Sequence, residues 1–270
     1  EVCPEYLKTR WETISARLSA FHKSFTTAKV SLNVNCFYDI VPERFLLEYC
    51  EIKNQITKHV IDNNSIPANY EFLRELSAFA YEIKQNKLNI DYRSIARDSH
   101  KLKVKNFIGK NKATSPYVSY NIFGTKTGRL TTNKGFFPIM TLDSDYRKMV
   151  KPNNDYFVEL DYNAAELRVL LALAGKEQPE DDIHQWNAEA VYGGLVTREQ
   201  AKKGIFSWLY NPRAKDALAE RAYDRELVLK RFWNGQHVVT PYRRLIPADA
   251  HHALNYLIQS TTSDLVLTKA

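Results

Sequence analysis

Long apolar runs are missing from this chain. The longest candidate, Val169 to Ala174, falls far short of the ~18–20 residues that span a bilayer. No basic amphipathic stretch of the kind that lies on a membrane surface is visible either, so membrane roles are excluded. The opening residues, Glu1-Val2-Cys3-Pro4-Glu5, carry no basic segment ahead of an apolar one, and no signal peptide is expected. No methionine opens the chain, which reads as a piece of a larger protein. Cysteine is scarce: Cys3, Cys36 and Cys50 are odd in number and widely spaced, forming neither a metal-ligand pattern nor a disulfide framework. A reducing compartment follows as the default. Nine Gly and ten Pro are too few for a low-complexity linker, and no internal repeat is present.

The remaining composition is that of a globular protein, with 44% hydrophobic and 26% charged residues. At ~150 residues per domain, 270 residues imply one or two domains with a sizeable core. Lys and Arg number 38 against 31 Asp and Glu, a balance of +7 that favours a polyanionic partner.

Residues 1–100 read as helical. Pro42, at an expected N1 position, opens a segment whose apolar residues Phe45, Tyr49, Ile52, Ile56 and Val60 recur every three to four positions. Asn63-Asn64-Ser65-Ile66-Pro67 ends it, and a second stripe follows at Phe72, Leu76, Phe79, Ala80 and Ile83. Both stripes are expected to be core. Lys101, Lys103 and Lys105 alternate with Leu102, Val104 and Asn106, which fits either an edge strand guarded by lysines or a track for phosphates. Phe157-Val158-Glu159-Leu160-Asp161 predicts a short strand ending in a carboxylate, followed by a helix from Ala164. Thr197 is an N-cap with Gln200 at the capping-box spacing, predicting a helix over 196–210. A strand at Val238 to Thr240 and a last helix from about Asp249 to Ala270 complete the reading.

Chemistry concentrates in the second half. A carboxylate such as Asp161 at a strand's end is a common place to hold a divalent cation, and Mg²⁺ shares its shell with substrate phosphates. Taken alone, Asp161 fits a helix cap as well. Arg198, Lys202, Phe206 and Tyr210 lie four apart, placing two cations and two aromatics on one helical face. That mixture suits a nucleoside triphosphate, with cations on the phosphates and an aromatic on base or sugar. An amphipathic surface helix is the plainer alternative. Asn255 and Gln259 also lie four apart, and paired amides can reach minor-groove base edges.

In this order the blocks resemble the family A DNA polymerases. Thr127-Gly128-Arg129-Leu130-Thr131-Thr132 resembles the family's T-G-R-L-S-S block, and Asp161-Tyr162-Asn163-Ala164-Ala165-Glu166-Leu167-Arg168 its motif A, D-Y-S-Q-I-E-L-R. Asp182-Ile183-His184 resembles the D-I-H that follows. Arg198-x3-Lys202-x3-Phe206-x3-Tyr210 is similar to motif B, the O helix of the fingers. The segment from Ala253 to Asp264 resembles A-I-N-x-x-x-Q-G-T-A-A-D.

The resemblance covers about Tyr120 to Ala270 and implies an α+β, right-hand polymerase fold with a helical thumb, an antiparallel-sheet palm and helical fingers. Residues 1–119 would be a thumb-like helical region, 120–175 the first part of the palm with motif A, 176–236 the fingers with the O helix, and 237–270 an incomplete second part of the palm. It implies a template-directed polymerase that adds deoxynucleotides to a primer 3′ end by two-metal phosphoryl transfer. Its partners would be primer–template DNA and a dNTP, in the cytoplasm of a bacterial or phage-infected cell.

The roles follow residue by residue. Asp161, with the Tyr162 carbonyl, would bind two Mg²⁺, for which Mn²⁺ can substitute. Glu166 would be the steric gate against a 2′-hydroxyl. His184, Arg198 and Lys202 would hold the triphosphate, and Lys202 would protonate the leaving pyrophosphate. Phe206 would stack near sugar and base, and Tyr210 would guard the templating position. Arg129, Asn255 and Gln259 would touch the primer–template minor groove. Thr127, Arg243, Arg244 and the lysines Lys101, Lys103 and Lys105 join them as DNA contacts.

Four departures stand out. The His-Asp-Glu turn of motif C, which carries the second metal-binding carboxylate, is not in the sequence; a C-terminal continuation or a second chain would have to supply it. Asn211 follows Tyr210 where the family has Gly, and His251 stands where it usually has Arg. The segment from motif B to Arg243 is shorter than in bacterial repair polymerases, a lean toward the phage-replicative branch. No Asp-x-Glu exonuclease pattern occurs in residues 1–119. Two alternatives remain: a catalytically incomplete polymerase-like module that binds DNA, and a relative of the single-subunit RNA polymerases, against which the acidic gate Glu166 speaks.

Overall fold

The structure is a computed structural model that describes residues 3–32, 35–112 and 114–269. It divides into two compact units, Glu1–Pro67 and Ala68–Ala270. That division falls inside the stretch expected to form one helical region.

The first unit is a helical hairpin. Helix α1 (Glu5–Thr27) packs on α3 (Glu43–Asn63), with the single turn α2 (Phe37–Ile40) between them. The expected stripe of α3 is its buried face: Phe45 and Ile52 are fully buried beside Ile14 and Val41, with Trp11, Phe21, Phe25 and Tyr49 packed around them. Arg10 pairs with Glu51 and Arg17 with Glu48, an order that makes the two helices antiparallel. Pro42 is the N-cap of α3, one position before the expected N1: its backbone is extended (ψ 134°), and its carbonyl accepts the Phe45 and Leu46 amides.

The second unit holds two cores. The smaller gathers Ile95, Val104, Phe137, Leu142, Tyr146 and Met149. It draws on α5 (Arg93–Ala96), α6 (Leu102–Asn111) and the 3-10 turns Ile139–Thr141 and Ser144–Met149. Helix α4 (Tyr70–Gln85) precedes them and buries Leu76 from its predicted stripe. The larger core is built by α7 (Ala165–Ala174), α9 (Arg198–Tyr210), α10 (Ala217–Tyr223), α11 (Arg225–Phe232) and α12 (Ala253–Lys269). The short α8 (Ile183–Trp186) runs into a π-turn at Asn187–Val191. Trp208 and Tyr223 sit at the centre, and the Tyr223 hydroxyl donates to the fully buried Asn187 side chain (2.8 Å).

Strand structure is sparse and antiparallel, compatible with an α+β class. Strand β1 (Asn89–Ile90) pairs with β4 (Val150–Lys151), and β2 (Tyr120–Asn121) with β3 (Thr131–Thr132). Strand β5 (His237–Val239) pairs with β6 (Leu245–Pro247) in the register Val238 opposite Ile246, which puts both residues into the large core.

Two expectations are corrected here. Residues 157–161 do not form a strand; Tyr156, Phe157, Val158 and Leu160 are all exposed, Leu160 by 90%. The local pattern favours extended backbone, but a strand also needs a neighbour for its amides and carbonyls. No described strand pairs with this segment. Lys101 to Asn106 is no edge strand either. Lys101 caps α6, and Lys103 and Lys105 lie two positions apart on that helix, roughly 200° around its axis, so they cannot form one track. Among the described residues, no helix is long and apolar enough to cross a membrane.

Candidate nucleotide and nucleic-acid site

Helix α9 separates two chemistries on two faces. Ala201, Ile205, Trp208 and Leu209 are buried in the core, following the i, i+4, i+7, i+8 rule. The adjoining face carries Arg198, Lys202, Phe206 and Tyr210, with Lys202 and Tyr210 exposed, Arg198 half-buried and Phe206 packed against the core edge. The start of the helix is fixed by a full capping box: Thr197 Oγ1 accepts from the Gln200 amide (3.3 Å), and Gln200 Oε1 accepts from the Thr197 amide (2.9 Å).

Two other blocks converge on this face. The His184 ring lies 5.7 Å from Phe206, and Phe206 stacks nearly parallel on Tyr210 at 5.9 Å. His184 is only 6% exposed, and its Nδ1 is buried without a hydrogen-bond partner. Burial is the main reason its pKa lies below the ordinary imidazole value; Lys202 and Arg198 push the same way, while Asp182 and Glu199 oppose them. The Tyr210 hydroxyl donates to one Glu166 oxygen, and Arg129 Nη2 donates to the other at 2.6 Å. Glu166 is thus held from α9 and from the Thr127-Gly128-Arg129 turn.

Asp182 is bound more densely. It caps α8 by accepting the His184 and Gln185 amides (2.8 and 2.9 Å). It also receives the Arg198 fork, Nη2 to Oδ2 at 2.7 Å and Nε to Oδ1 at 3.3 Å. The Arg198 guanidinium, with these amides, holds the Asp182 carboxyl far below the usual carboxylate range. The loop ahead of α8 is tied down by Arg168, whose guanidinium donates to the carbonyls of Asn163, Pro179 and Asp181 (3.0, 2.7 and 2.8 Å). The Asp182–Arg198 pair and the Arg168 tie were not among the expected features. The first joins residues sixteen positions apart and the second reaches eleven and thirteen positions ahead to Pro179 and Asp181, and only the opposite charges of Asp182 and Arg198 hinted at the first.

The turn between Asp161 and α7 is strained. Ala164, its N-cap, sits in the left-handed region (φ 48°, ψ 51°), which costs an L-residue roughly 1–2 kcal/mol. Asp161 is exposed, and so is Tyr162. Mg²⁺ takes about six oxygens in near-octahedral geometry. The Asp161 carboxylate and the Tyr162 carbonyl are hard donors of the right kind. Among the described residues, however, no group of three or more His, Cys, Asp or Glu could hold a metal ion. Mg²⁺ is ordinarily held by one or two carboxylates together with water and substrate phosphates, and an exposed Asp161 is compatible with such a shared shell.

The DNA-side residues divide. Arg129 is half exposed. With Lys103, Phe107, Lys110, Lys134 and Phe136 it lines a groove of about 820 Å³ in which no described lining residue is acidic. Lys103 and Lys110 are seven apart on α6 and share a face, whereas Lys105 does not line the groove. Lys101 pairs with Asp98 (3.2 Å) and Lys103 with Asp143 (2.8 Å). Thr127 is buried. Arg243 is exposed, in a left-handed turn (φ 60°). Arg244 is not a free cation: it is 12% exposed and locked onto the fully buried Asp264 by Nη2 to Oδ1 (2.7 Å) and Nε to Oδ2 (3.1 Å). Gly128 makes room for it. Its φ is +77°, and a Cβ there would lie 2.6 Å from the Arg244 guanidinium carbon. Asn255 and Gln259 are half-buried. Asn255 faces a small cavity of about 190 Å³ beside Tyr210 and His251, and its Oδ1 has no partner.

No family model matches the chain. Among curated proteins it is similar to the DNA polymerase of Mycobacterium phage L5, 30% identical over 164 residues that cover 47% of this chain and 27% of that protein. It is also similar to the DNA polymerase of Mycobacterium phage D29, 30% identical over 143 residues, 39% of this chain and 23% of that protein. The chain thus spans about a quarter of the length of these relatives.

Proposed function

We propose that this chain is the nucleotide- and template-handling part of a family A DNA polymerase of phage-replicative type, a nucleotidyltransferase that extends a primer with deoxynucleotides. The observation that carries this reading is the meeting of three separate sequence blocks on one face of α9. Glu166 of motif A, His184 of D-I-H and the Arg198–Tyr210 stripe come together there. The similarity to two phage DNA polymerases supports its DNA polymerase part.

On this reading Arg198 and Lys202 hold the triphosphate at the positive end of a capped helix. Lys202 donates a proton to the leaving pyrophosphate oxygen as the primer 3′-oxygen attacks in line. Phe206 presents a flat face to base and sugar, and Glu166, fixed by Arg129 and Tyr210, meets a ribose 2′-hydroxyl. The groove with Lys103, Lys110, Arg129 and Lys134 offers cations and aromatics to the DNA backbone and its bases. Asp161 and the Tyr162 carbonyl are the places where magnesium would be shared with the substrate, in a site that these residues only begin.

The test is dATP binding. Wild type should bind, and Lys202→Ala should weaken binding at least about tenfold, the cost of a charge-assisted phosphate contact. Unchanged affinity removes α9 from the site. In the full-length protein supplied with primer–template, Asp161→Ala should abolish extension while DNA affinity stays nearly intact. The alternative, a module that binds primer–template without catalysis, prevails if the full-length protein binds DNA but extends no primer with either dNTP or rNTP.

A further inference from the structure

The residue expected to grip a triphosphate already has three of its five N–H donors engaged. Arg198 gives Nε and Nη2 to Asp182, and Nη1 to Glu199 Oε1 at 2.7 Å. The two carboxylates are held very differently. Asp182 is fixed by two backbone amides at the start of α8, and its side chain is 32% exposed. Glu199 is 67% exposed, and among the described residues its carboxylate pairs with its neighbour Arg198 alone. An incoming phosphate oxygen could displace the exposed carboxylate far more easily than the anchored one, because surface ion pairs contribute little and their partners are readily re-solvated. A guanidinium can serve a carboxylate on one edge and a phosphate on the other, since its five N–H donors form a rigid planar fork.

We propose that Asp182 is a positioning residue that aims the Arg198 guanidinium so that Nη1 is presented to an anion, and that Glu199 is an internal competitor occupying Nη1 until a triphosphate displaces it. This rests on the reading of α9 as a triphosphate site. It also makes a prediction that simple charge counting does not. Removing either negative charge raises the local positive potential, so electrostatics alone would tighten anion binding in both variants. Positioning gives opposite signs. Without the Asp182 charge the fork loses its anchor and binding weakens; without the Glu199 charge the competitor is gone and binding tightens.

The experiment titrates the chain with inorganic tripolyphosphate and with dATP, in buffer without divalent cations, by isothermal calorimetry. Asp182→Asn keeps an amide oxygen that can cap α8. Its tripolyphosphate affinity should fall about tenfold, with the thermal melt little changed. Glu199→Gln should raise affinity about threefold. An unchanged or higher affinity in Asp182→Asn overturns the proposal, as does an unchanged or lower one in Glu199→Gln. If Asp182→Asn fails to fold, Asp182→Ser, which also caps, decides on the same scale. Wild type that fails to bind tripolyphosphate, or binds it equally well as Lys202→Ala, overturns the underlying site reading and this inference with it. Normal Lys202 dependence without the opposite signs overturns the inference alone.

Discussion

The face of α9 and the segment 156–161 are both assigned to the same chemistry by the sequence, yet they are built to different standards. On α9 nearly every side chain has a structural reason for its place. The capping box sets the start, Trp208 and Ile205 anchor the inner face, and Asp182, His184 and Glu166 brace the outer one. The segment ending in Asp161 has Tyr156, Phe157, Val158 and Leu160 in solvent and no described strand alongside. A helix closes its hydrogen bonds within itself, whereas a strand takes them from elsewhere in the chain. The α9 side is thus specified largely by local sequence, whereas the segment ending in Asp161 has no described strand to take its hydrogen bonds.

The contrast is sharpest in stability. The largest effect is expected where charge is buried. Asp264 is 0% exposed and bound by two hydrogen bonds to Arg244, whose guanidinium fills the space over Gly128. Burial raises the Asp264 carboxyl above its ordinary value, and Arg244 works against that rise. Asp264→Ala would strand the guanidinium in the interior, at a cost of about 3–5 kcal/mol. Urea denaturation of the variant measures it. The double variant Asp264→Leu, Arg244→Met should recover most of the loss, because desolvation no longer opposes the fold. A single-variant loss under about 1 kcal/mol would mean that the pair is wet in solution.

This pair also marks how far the sequence was legible. The periodic stripes of α3, α4 and α9 and the Thr197 capping box are local patterns, and each reappears with the expected face buried or capped. Arg244 was expected to meet DNA because an arginine beside a turn carries no sign of its partner, and Asp264 lies twenty positions away on α12. The alternating lysines 101, 103 and 105 share their period with a strand, but Val104 and Phe107 pack into the small core and the segment turns helical. Tertiary burial outweighed the two-residue pattern. At the candidate site the quoted blocks come together beside α9. They did not reveal that Arg198 is paired with Asp182 or that Glu166 has two partners.

A smaller effect is expected from pH. The folded His184 binds a proton less readily than the unfolded residue, chiefly through burial. Between its folded value and the ordinary 6.5 the unfolded chain therefore carries more protons, and stability rises with pH across that interval. The contribution is complete above about pH 6.5 and is lost as the pH falls below it. One proton limits the slope to about 1.4 kcal/mol per pH unit. Subtracting the pH–stability curve of His184→Gln from that of wild type should leave this slope, with its downward break on the acid side. A flat difference would show that the ring is hydrated, and would weaken its placement among Phe206, Arg198 and Lys202.

The smallest expected effect is the one most able to break the comparison. Leu160 is 90% exposed beside Asp161, so Leu160→Asn should change stability by no more than about 0.5 kcal/mol. A leucine packed in a sheet would cost about 2–5 kcal/mol when truncated, because the lost transfer energy is joined by a cavity. The same variant also reports on the carboxylate next to it. If the denaturation midpoint is unmoved and the amides of 157–161 exchange without protection, Asp161 sits on an unpaired segment, and its geometry must be completed by whatever strand pairs with it. If Leu160→Asn is costly and those amides are protected, the segment is already buried in solution. The two regions would then be alike, and Asp161 would be as firmly held as the α9 ridge.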